Sequence, residues 1–271
     1  MDTKQLIHST KKNGEEKKIN INGVVFGGKK IVLIAGPCAV ESLAQLDDTI
    51  SKLNKVDVIR GGAFKPRTSP YDFTGLEEEG ISILENVSMK YNKLFVTEMT
   101  NLSLIDLYKK DVDIIQVGAR DMQNFELLKL LGKSNKPVIL KRGFGNTIEE
   151  LLDASEYILK EGNQNVILCE RGIRTFENST RFTLDLSAIP VIKKYSNLPV
   201  IVDPSHAAGN SEYIESLSLA AIAAGADGLM IEVHCNPEQA LSDKEQALTP
   251  GQYNNLVEKI EKVAEAVGRN L

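Results

Sequence analysis

Six cationic side chains, Arg60, Lys65, Arg67, Arg120, Lys141 and Arg171, stand at or just past the ends of short apolar runs. The chain around them is acidic, with 32 Lys and Arg against 37 Asp and Glu and a formal net charge of -5. A basic set gathered against that background reads as a pocket for a strongly anionic small molecule bearing phosphate and carboxylate groups. Guanidinium forks hold such groups bidentately, and ammonium groups supply movable point charge. A second set is Cys38, His206, Glu232 and Asp243. A thiolate, an imidazole and two carboxylates, if they converge, suit a divalent transition ion such as Mn, Fe, Co or Zn better than Mg or Ca. Taken singly, a cysteine after a strand is usually a small buried hydrophobe, and a lone histidine is usually a hydrogen-bonded structural residue. The set, not its members, carries the metal reading. Cys169 and Cys235 read as structural, His8 as solvated, and His234 as either a support for Glu232 or a packing residue.

Such side chains need elements to hold them. From residue 31 onward, short runs rich in Val, Ile and Leu alternate eight times with longer amphipathic stretches. The predicted strands are 31–35, 57–60, 94–97, 114–117, 138–141, 166–169, 200–202 and 228–231, each nearly continuous in apolar residues as strands covered on both faces should be. The predicted helices are 43–53, 75–90, 102–109, 125–131, 147–160, 186–195, 212–224 and 251–267, with Thr147 and Glu150 spaced as a capping box. Eight βα units without a linker point to an α/β fold, a single (β/α)8 TIM barrel, with an open doubly wound sheet as the alternative. Ile19 to Phe26 reads as a short N-terminal hairpin extension that caps one end, and residues 1–18 as a polar, mobile arm. The barrel with its hairpin is expected to occupy 19–271, leaving no separate regulatory domain.

The barrel makes a demand, because chemistry in such folds gathers at the carboxyl ends of the strands. Polar groups fall there: Cys38, Glu41 and Ser42 after the first strand, Arg60 to Thr68 after the second, then Glu98, Arg120, Lys141, Glu170 with Arg171, Asp203 with His206, and Glu232. Glu98, Glu170 and Asp203 are candidate supports that orient the cations or a water; as buried ion-pair partners they would have no chemical part. Arg142, Arg174 and Arg181 belong to the same supporting group. Charges of both signs are interleaved, which argues against a nucleic-acid surface. No apolar stretch approaches the roughly 20 residues a membrane helix requires. Three cysteines cannot all pair, and no secretory signal opens the chain, so the cytoplasm is the expected compartment.

The ordered motifs GPCAVES, RGGAFKPRTSPY, QVGARDMQN, ILKRG, CERGIRTFE, VDPSHAAG and MIEVHCNPEQALSD resemble the 3-deoxy-7-phosphoheptulonate (DAHP) synthases of the type I beta group, relatives of the 3-deoxy-D-manno-octulosonate 8-phosphate synthases. The resemblance spans roughly residues 19 to 268. It implies condensation of phosphoenolpyruvate with erythrose 4-phosphate and release of phosphate, the first step of the shikimate pathway. It further implies that Arg60, Lys65, Arg120, Lys141 and Arg171 grip phosphoenolpyruvate, that Arg67 and Thr68 grip the sugar phosphate, and that Lys65 works between the two. Cys38, His206, Glu232 and Asp243 match the positions of metal ligands, which places Cys38 and His206 beside Lys65 in the catalytic group. The octulosonate enzymes typically continue Ala-Asn-Arg-Ser after the shared lysine, whereas this chain reads Pro66-Arg67-Thr68-Ser69, favouring the shorter aldose. A homodimer or homotetramer is expected, with a chorismate mutase as candidate partner. A catalytically silent barrel acting only as a binding partner is the remote alternative.

Overall fold

The computed structural model of the chain describes residues 6–11, 14–65 and 71–271. Its first elements are two short strands, β1 (Ile19–Ile21) and β2 (Val24–Phe26), paired antiparallel with Ile19 opposite Phe26. Asn22 and Gly23 between them both have positive φ, 47° and 95°. That is the backbone a two-residue type I′ turn demands, and Asn–Gly is the pair that supplies it most cheaply.

Eight parallel strands then close a barrel: β3 (Val32–Gly36), β4 (Val58–Arg60), β5 (Leu94–Glu98), β6 (Ile114–Val117), β7 (Val138–Lys141), β8 (Val166–Glu170), β9 (Val200–Val202) and β10 (Gly228–Glu232), with β10 pairing back to β3. Around them run α1 (Leu43–Ser51), α2 (Glu77–Tyr91), α3 (Ile105–Asp111), α4 (Phe125–Gly132), α5 (Ile148–Lys160), α6 (Ala188–Tyr195), α7 (Pro204–Ala208), α8 (Ile214–Ala223) and α9 (Pro250–Ala266). The open-sheet alternative is thereby excluded. The capping box at Thr147 and Glu150 is present, and a second one, Thr249 with Gln252, opens α9.

Differences from the sequence expectation have local causes. Strands β5, β8 and β10 each run one residue further, to a glutamate, because the ladder continues through Glu98 opposite Gln116, Glu170 opposite Val202 and Glu232 opposite Gly36. The stretch 102–109 splits into a 3-10 turn (Leu102–Leu104), capped by the Asn101 side chain, and α3. Helix α7 was not expected, since five residues are too few to show a period; Asp203 caps it by accepting from the His206 N–H. The polar arm is also not free where it is described. Leu6 and Ser9 are buried, the His8 and Ser9 N–H groups donate to the Glu156 carboxylate, and the Lys17 N–H donates to Asn197 O at 2.7 Å. A scarcity of apolar residues gave no sign that backbone donors would dock it. His8 itself is exposed.

The side-chain alternation of the strands makes two apolar layers. Leu33, Ile59, Phe95, Ile115, Leu140, Leu168, Val202 and Ile231 face the helices, while Val32, Ile34, Val58, Leu94, Val96, Ile114, Ile139, Ile167, Ile201 and Met230 fill the bore with Ile19, Ile21 and Phe26 of the hairpin. The hairpin thus plugs the amino end. Phe26 is completely buried. We expect Phe26→Ala to cost about 3–5 kcal/mol in chemical denaturation, the usual range for a buried phenylalanine, with turnover per folded molecule unchanged. A cost below about 1 kcal/mol would mean that the plug contributes little to the fold. Among the described residues no helix is long and apolar enough to cross a membrane.

Candidate active site and metal centre

The same alternation that fills the bore with Val58, Val96, Ile139, Ile201 and Met230 brings polar residues inward two positions later: Arg60, Glu98, Lys141, Asp203 and Glu232. A charged tier therefore sits on an apolar floor at the carboxyl end. Close approach is secured at Gly36, where an added Cβ would lie 2.2 Å from the Arg60 carbonyl oxygen.

The four predicted ligands converge. One donor atom each from Cys38, His206, Glu232 and Asp243 lies within 4.8 Å of the others. Cys38 comes from the loop after β3, His206 from α7, Glu232 from the last position of β10, and Asp243 from the loop beyond it, in a left-handed conformation with φ 50°. The arrangement fits a cation. His206 Nδ1 lies 2.7 Å from Asp203 Oδ2, which leaves Nε2 with its lone pair facing Glu232 Oε1 at 3.2 Å. That oxygen is buried and has no aligned donor; Arg60 Nη1 approaches to 2.6 Å but not at a hydrogen-bonding angle. Two electron-pair donors aimed at each other, each braced from behind by a partner, are what a metal ligand pair presents. Glu232 Oε2 accepts from Gln246 Nε2 at 2.6 Å, and Asp243 Oδ1 from Arg181 at 3.0 Å.

Burial and the Glu232 carboxylate push the Cys38 thiol up to about 12, although Lys65 pulls the other way. It donates to Asp243 Oδ2 at 2.9 Å and accepts from Lys65 Nζ at 2.9 Å and from Ser242. Burial lowers His206 despite Asp203, so its ring is neutral, as ligation requires. Burial opposes charge on Glu232, but His206 and Arg60 outweigh it and hold the carboxyl below its usual range. Lys65 is likewise resisted by burial and nonetheless raised by Cys38 and Glu232, so it is an ammonium.

Asp203 gives the site a pH dependence. Burial alone would raise it, but His206 and Lys141, whose Nζ lies 2.5 Å from Oδ2, hold it well below the carboxylate range. A group depressed in the folded state contributes stability that is complete above its unfolded value, about 3.9, and is lost as pH falls toward the folded one. We expect the urea midpoint to fall below about pH 4, and Asp203→Asn to start lower and fall less over that window. Parallel curves would remove Asp203 as the source.

Beside the metal centre opens a cavity of about 540 Å³ lined by Lys65, Asp72, Glu98, Arg120, Arg171, Arg174, Arg181, His206 and Asp243, with Phe144 and Phe182. Arg60 lines an adjoining crevice with Cys38, Lys65, Glu98 and Gln116. Of the predicted cations, then, Lys65, Arg120 and Arg171 line the cavity, Arg60 lines the crevice beside it, and Lys141 is buried against Asp203. Arg67 and Thr68 lie outside the described residues. Glu98 accepts from Gln116 at 3.1 Å. Glu170 does not face this space: its carboxylate pairs with Arg142 at 2.8 Å and accepts from the Gly172 N–H, the ion-pair role held open for it. Sequence reasoning missed Phe144, Phe182, Gln246 and Ser242. Only the first had a signal, following Lys141-Arg142-Gly143 at a strand end.

Comparison with known proteins agrees with this geometry. A family model described as the DAHP synthetase I family matches residues 9–269. A phospho-2-dehydro-3-deoxyheptonate aldolase of Thermotoga maritima is 50% identical over 256 residues, covering 94% of this chain and 76% of that protein. A crystal structure of the Thermotoga maritima phospho-2-dehydro-3-deoxyheptonate aldolase (DAHP synthase) superposes with a TM-score of 0.95 at 47% identity, over 98% of this chain and 79% of that one. A 2-dehydro-3-deoxyphosphooctonate aldolase of Desulfotalea psychrophila is 30% identical over 265 residues, 90% of this chain and 93% of that protein. A closed parallel barrel, a convergent Cys-His-Glu-Asp set and a match along nearly the whole chain lead to one assignment: the chain belongs to the DAHP synthetase I family.

Proposed function

We propose that this barrel condenses phosphoenolpyruvate with erythrose 4-phosphate and water, giving 3-deoxy-D-arabino-heptulosonate 7-phosphate and inorganic phosphate. The observation that carries the reading is the shared space: the Cys38, His206, Glu232 and Asp243 cluster borders a cavity lined by Arg120 and Arg171, which have no carboxylate partner among the described residues. The ion these four residues would hold, Mn, Fe, Co or Zn by its donor set, polarises the aldehyde when bound. Arg120 and Arg171 hold the enol phosphate, with Arg60 and Lys141 deeper, so that carbon 3 approaches the aldehyde carbon. Arg67 and Thr68 hold the sugar phosphate. Holding two repelling anions at bond-forming distance is itself worth roughly 7–11 kcal/mol in effective molarity. As the new carbon–carbon bond forms, Lys65 Nζ gives its proton to the former aldehyde oxygen. Water adds at carbon 2 and releases a proton that replaces the one given by Lys65; the hemiketal phosphate then collapses to the ketone, its carbon 2–oxygen bond breaking as phosphate leaves with the hydroxyl proton. Glu98 and Asp203 orient the neighbouring cations and His206.

Residues 19–271 form the catalytic barrel in this reading, the arm precedes it, and residues 1–271 contain no separate regulatory domain. Half-exposed apolar side chains on helices, Met89, Phe125 and Tyr157, support assembly into a homodimer or homotetramer, which light scattering tests. A chorismate mutase is the partner to seek by co-elution, and three free cysteines suit the cytoplasm.

Phosphate release measured with phosphoenolpyruvate and a panel of aldose phosphates, before and after chelation, tests the whole reading. Erythrose 4-phosphate should be preferred, chelation should abolish turnover, and Mn or Co should restore it. Preference for arabinose 5-phosphate would move the chain to the octulosonate reaction, and full activity in demetallated protein would overturn the metal assignment.

A further inference from the structure

The rings of Phe144 and Phe182 are stacked, with centroids 5.1 Å apart and planes at 8°. Three guanidiniums sit over them. Arg171 Cζ is 4.1 Å from the Phe182 centroid and 5.0 Å from that of Phe144; Arg120 and Arg174 are 5.4 and 5.3 Å from Phe144. Like charges this close repel, and elsewhere in this protein carboxylates relieve such repulsion. Arg142 has Glu170 and Asp185, Arg60 has Glu232, and Arg181 has Asp243. Among the described residues no carboxylate oxygen lies within 4.0 Å of Arg120, Arg171 or Arg174. Arg171 is buried, yet among the described residues its polar contacts are two backbone carbonyls at 3.5 and 3.4 Å.

We propose that Phe144 and Phe182 are positioning residues, an aromatic platform that gathers Arg120, Arg171 and Arg174 in place of carboxylates and so leaves their N–H forks for an incoming phosphate. The proposal rests on the reading of this cavity as the enol-phosphate site. A ring face attracts a guanidinium through its quadrupole without accepting in the plane of the fork. A carboxylate would hold the arginine equally well but would occupy the same donors and cancel the charge. Both rings are tied to the segments that carry the arginines. The Arg174 N–H donates to Phe144 O at 2.6 Å, and the Thr183 N–H, next to Phe182, donates to Ile173 O at 3.0 Å. Gly172, next to Arg171, has φ +90°, and an added Cβ there would lie 2.7 Å from Phe182 Cβ. Glycine at this position is what lets the ring reach the arginine.

Calorimetric titration with phosphoenolpyruvate and with inorganic phosphate, joined to steady-state kinetics, tests this on wild type, Phe144→Leu, Phe182→Leu and Phe144→Tyr. The leucine variants keep apolar bulk and lose the ring. Each should bind both anions about tenfold more weakly, with the loss in KM for phosphoenolpyruvate, little in kcat, and none in KM for erythrose 4-phosphate. Phe144→Tyr, which keeps the ring, should bind like wild type. Leucine variants with wild-type anion affinity, or a tyrosine variant as impaired as leucine, would overturn the proposal. If Phe182→Leu does not fold, Phe144→Leu decides alone, since Phe144 faces all three guanidiniums. Wild type that binds no phosphoenolpyruvate would instead bring down the reading of the cavity, and this proposal with it.

Discussion

Cys38→Ser should lose its metal and at least about a hundredfold in turnover, because even residues that only brace a ligand cost 10- to 100-fold when removed. The fold should survive. The side chain is small and 3% exposed, and its surroundings already offer Lys65 and Ser242 as donors and Asp243 as acceptor, so a hydroxyl can be satisfied in place of the thiol. Metal content after dialysis, and the thiolate-to-metal absorption of the Co form, give readouts independent of turnover. Cys169→Ser is the control. That thiol is pushed up by burial in the apolar bore, takes no part in the cluster, and should leave metal content unchanged. Retention of stoichiometric, tightly held metal by Cys38→Ser would show that the thiol is not a ligand.

Arg171→Ala should raise the phosphoenolpyruvate requirement by about 2–5 kcal/mol, some thirtyfold to several thousandfold, the range for truncating one partner of a desolvated charge pair. The requirement for erythrose 4-phosphate should move far less. Burial pulls the Arg171 pKa down, with Asp203 opposing, so the folded chain tolerates this charge rather than depending on it. Removal should therefore leave the thermal midpoint unchanged or higher, in contrast to Arg142→Ala, which would strand the Glu170 carboxylate. Titrating both substrates against Arg171→Ala settles it: equal losses for the two would mean that this arginine does not belong to the enol phosphate.

The barrel was legible because each βα unit announces itself twice, through an apolar run and a periodic helix, and eight such units in a row leave few alternatives. The metal cluster was legible because a thiol, an imidazole and a carboxylate fell at or just past strand ends, where the fold forces convergence, while Asp243, in the loop beyond β10, was marked by the family resemblance. Glu170 shows the limit. It sits at a strand end like Glu98 and Glu232, and a linear reading cannot tell the inner from the outer side when the run is apolar on both faces. The platform of Phe144 and Phe182 was hidden for another reason: the two rings are 38 positions apart on different loops, and nothing local in either sequence speaks of the other. Helix α7 was too short to show a period, and the docking of the arm depends on backbone donors, which carry no sequence signature.

The inward tier of Arg60, Lys141, Asp203 and Glu232 also bears on how the chain reaches its fold. If β4, β7 or β10 slipped by one residue, the charge would turn toward the helices, into the layer now held by Ile59, Leu140 and Ile231. There it would meet no partner and no water, at a cost of several kcal/mol per ion. An all-apolar strand, alike on both faces, carries no such penalty against misthreading. The residues that serve the chemistry thus also act as register pins during barrel closure, and neutralising two of them at once should yield a chain that folds with more trapped, misaligned species, a defect visible in refolding kinetics even where the final structure is intact.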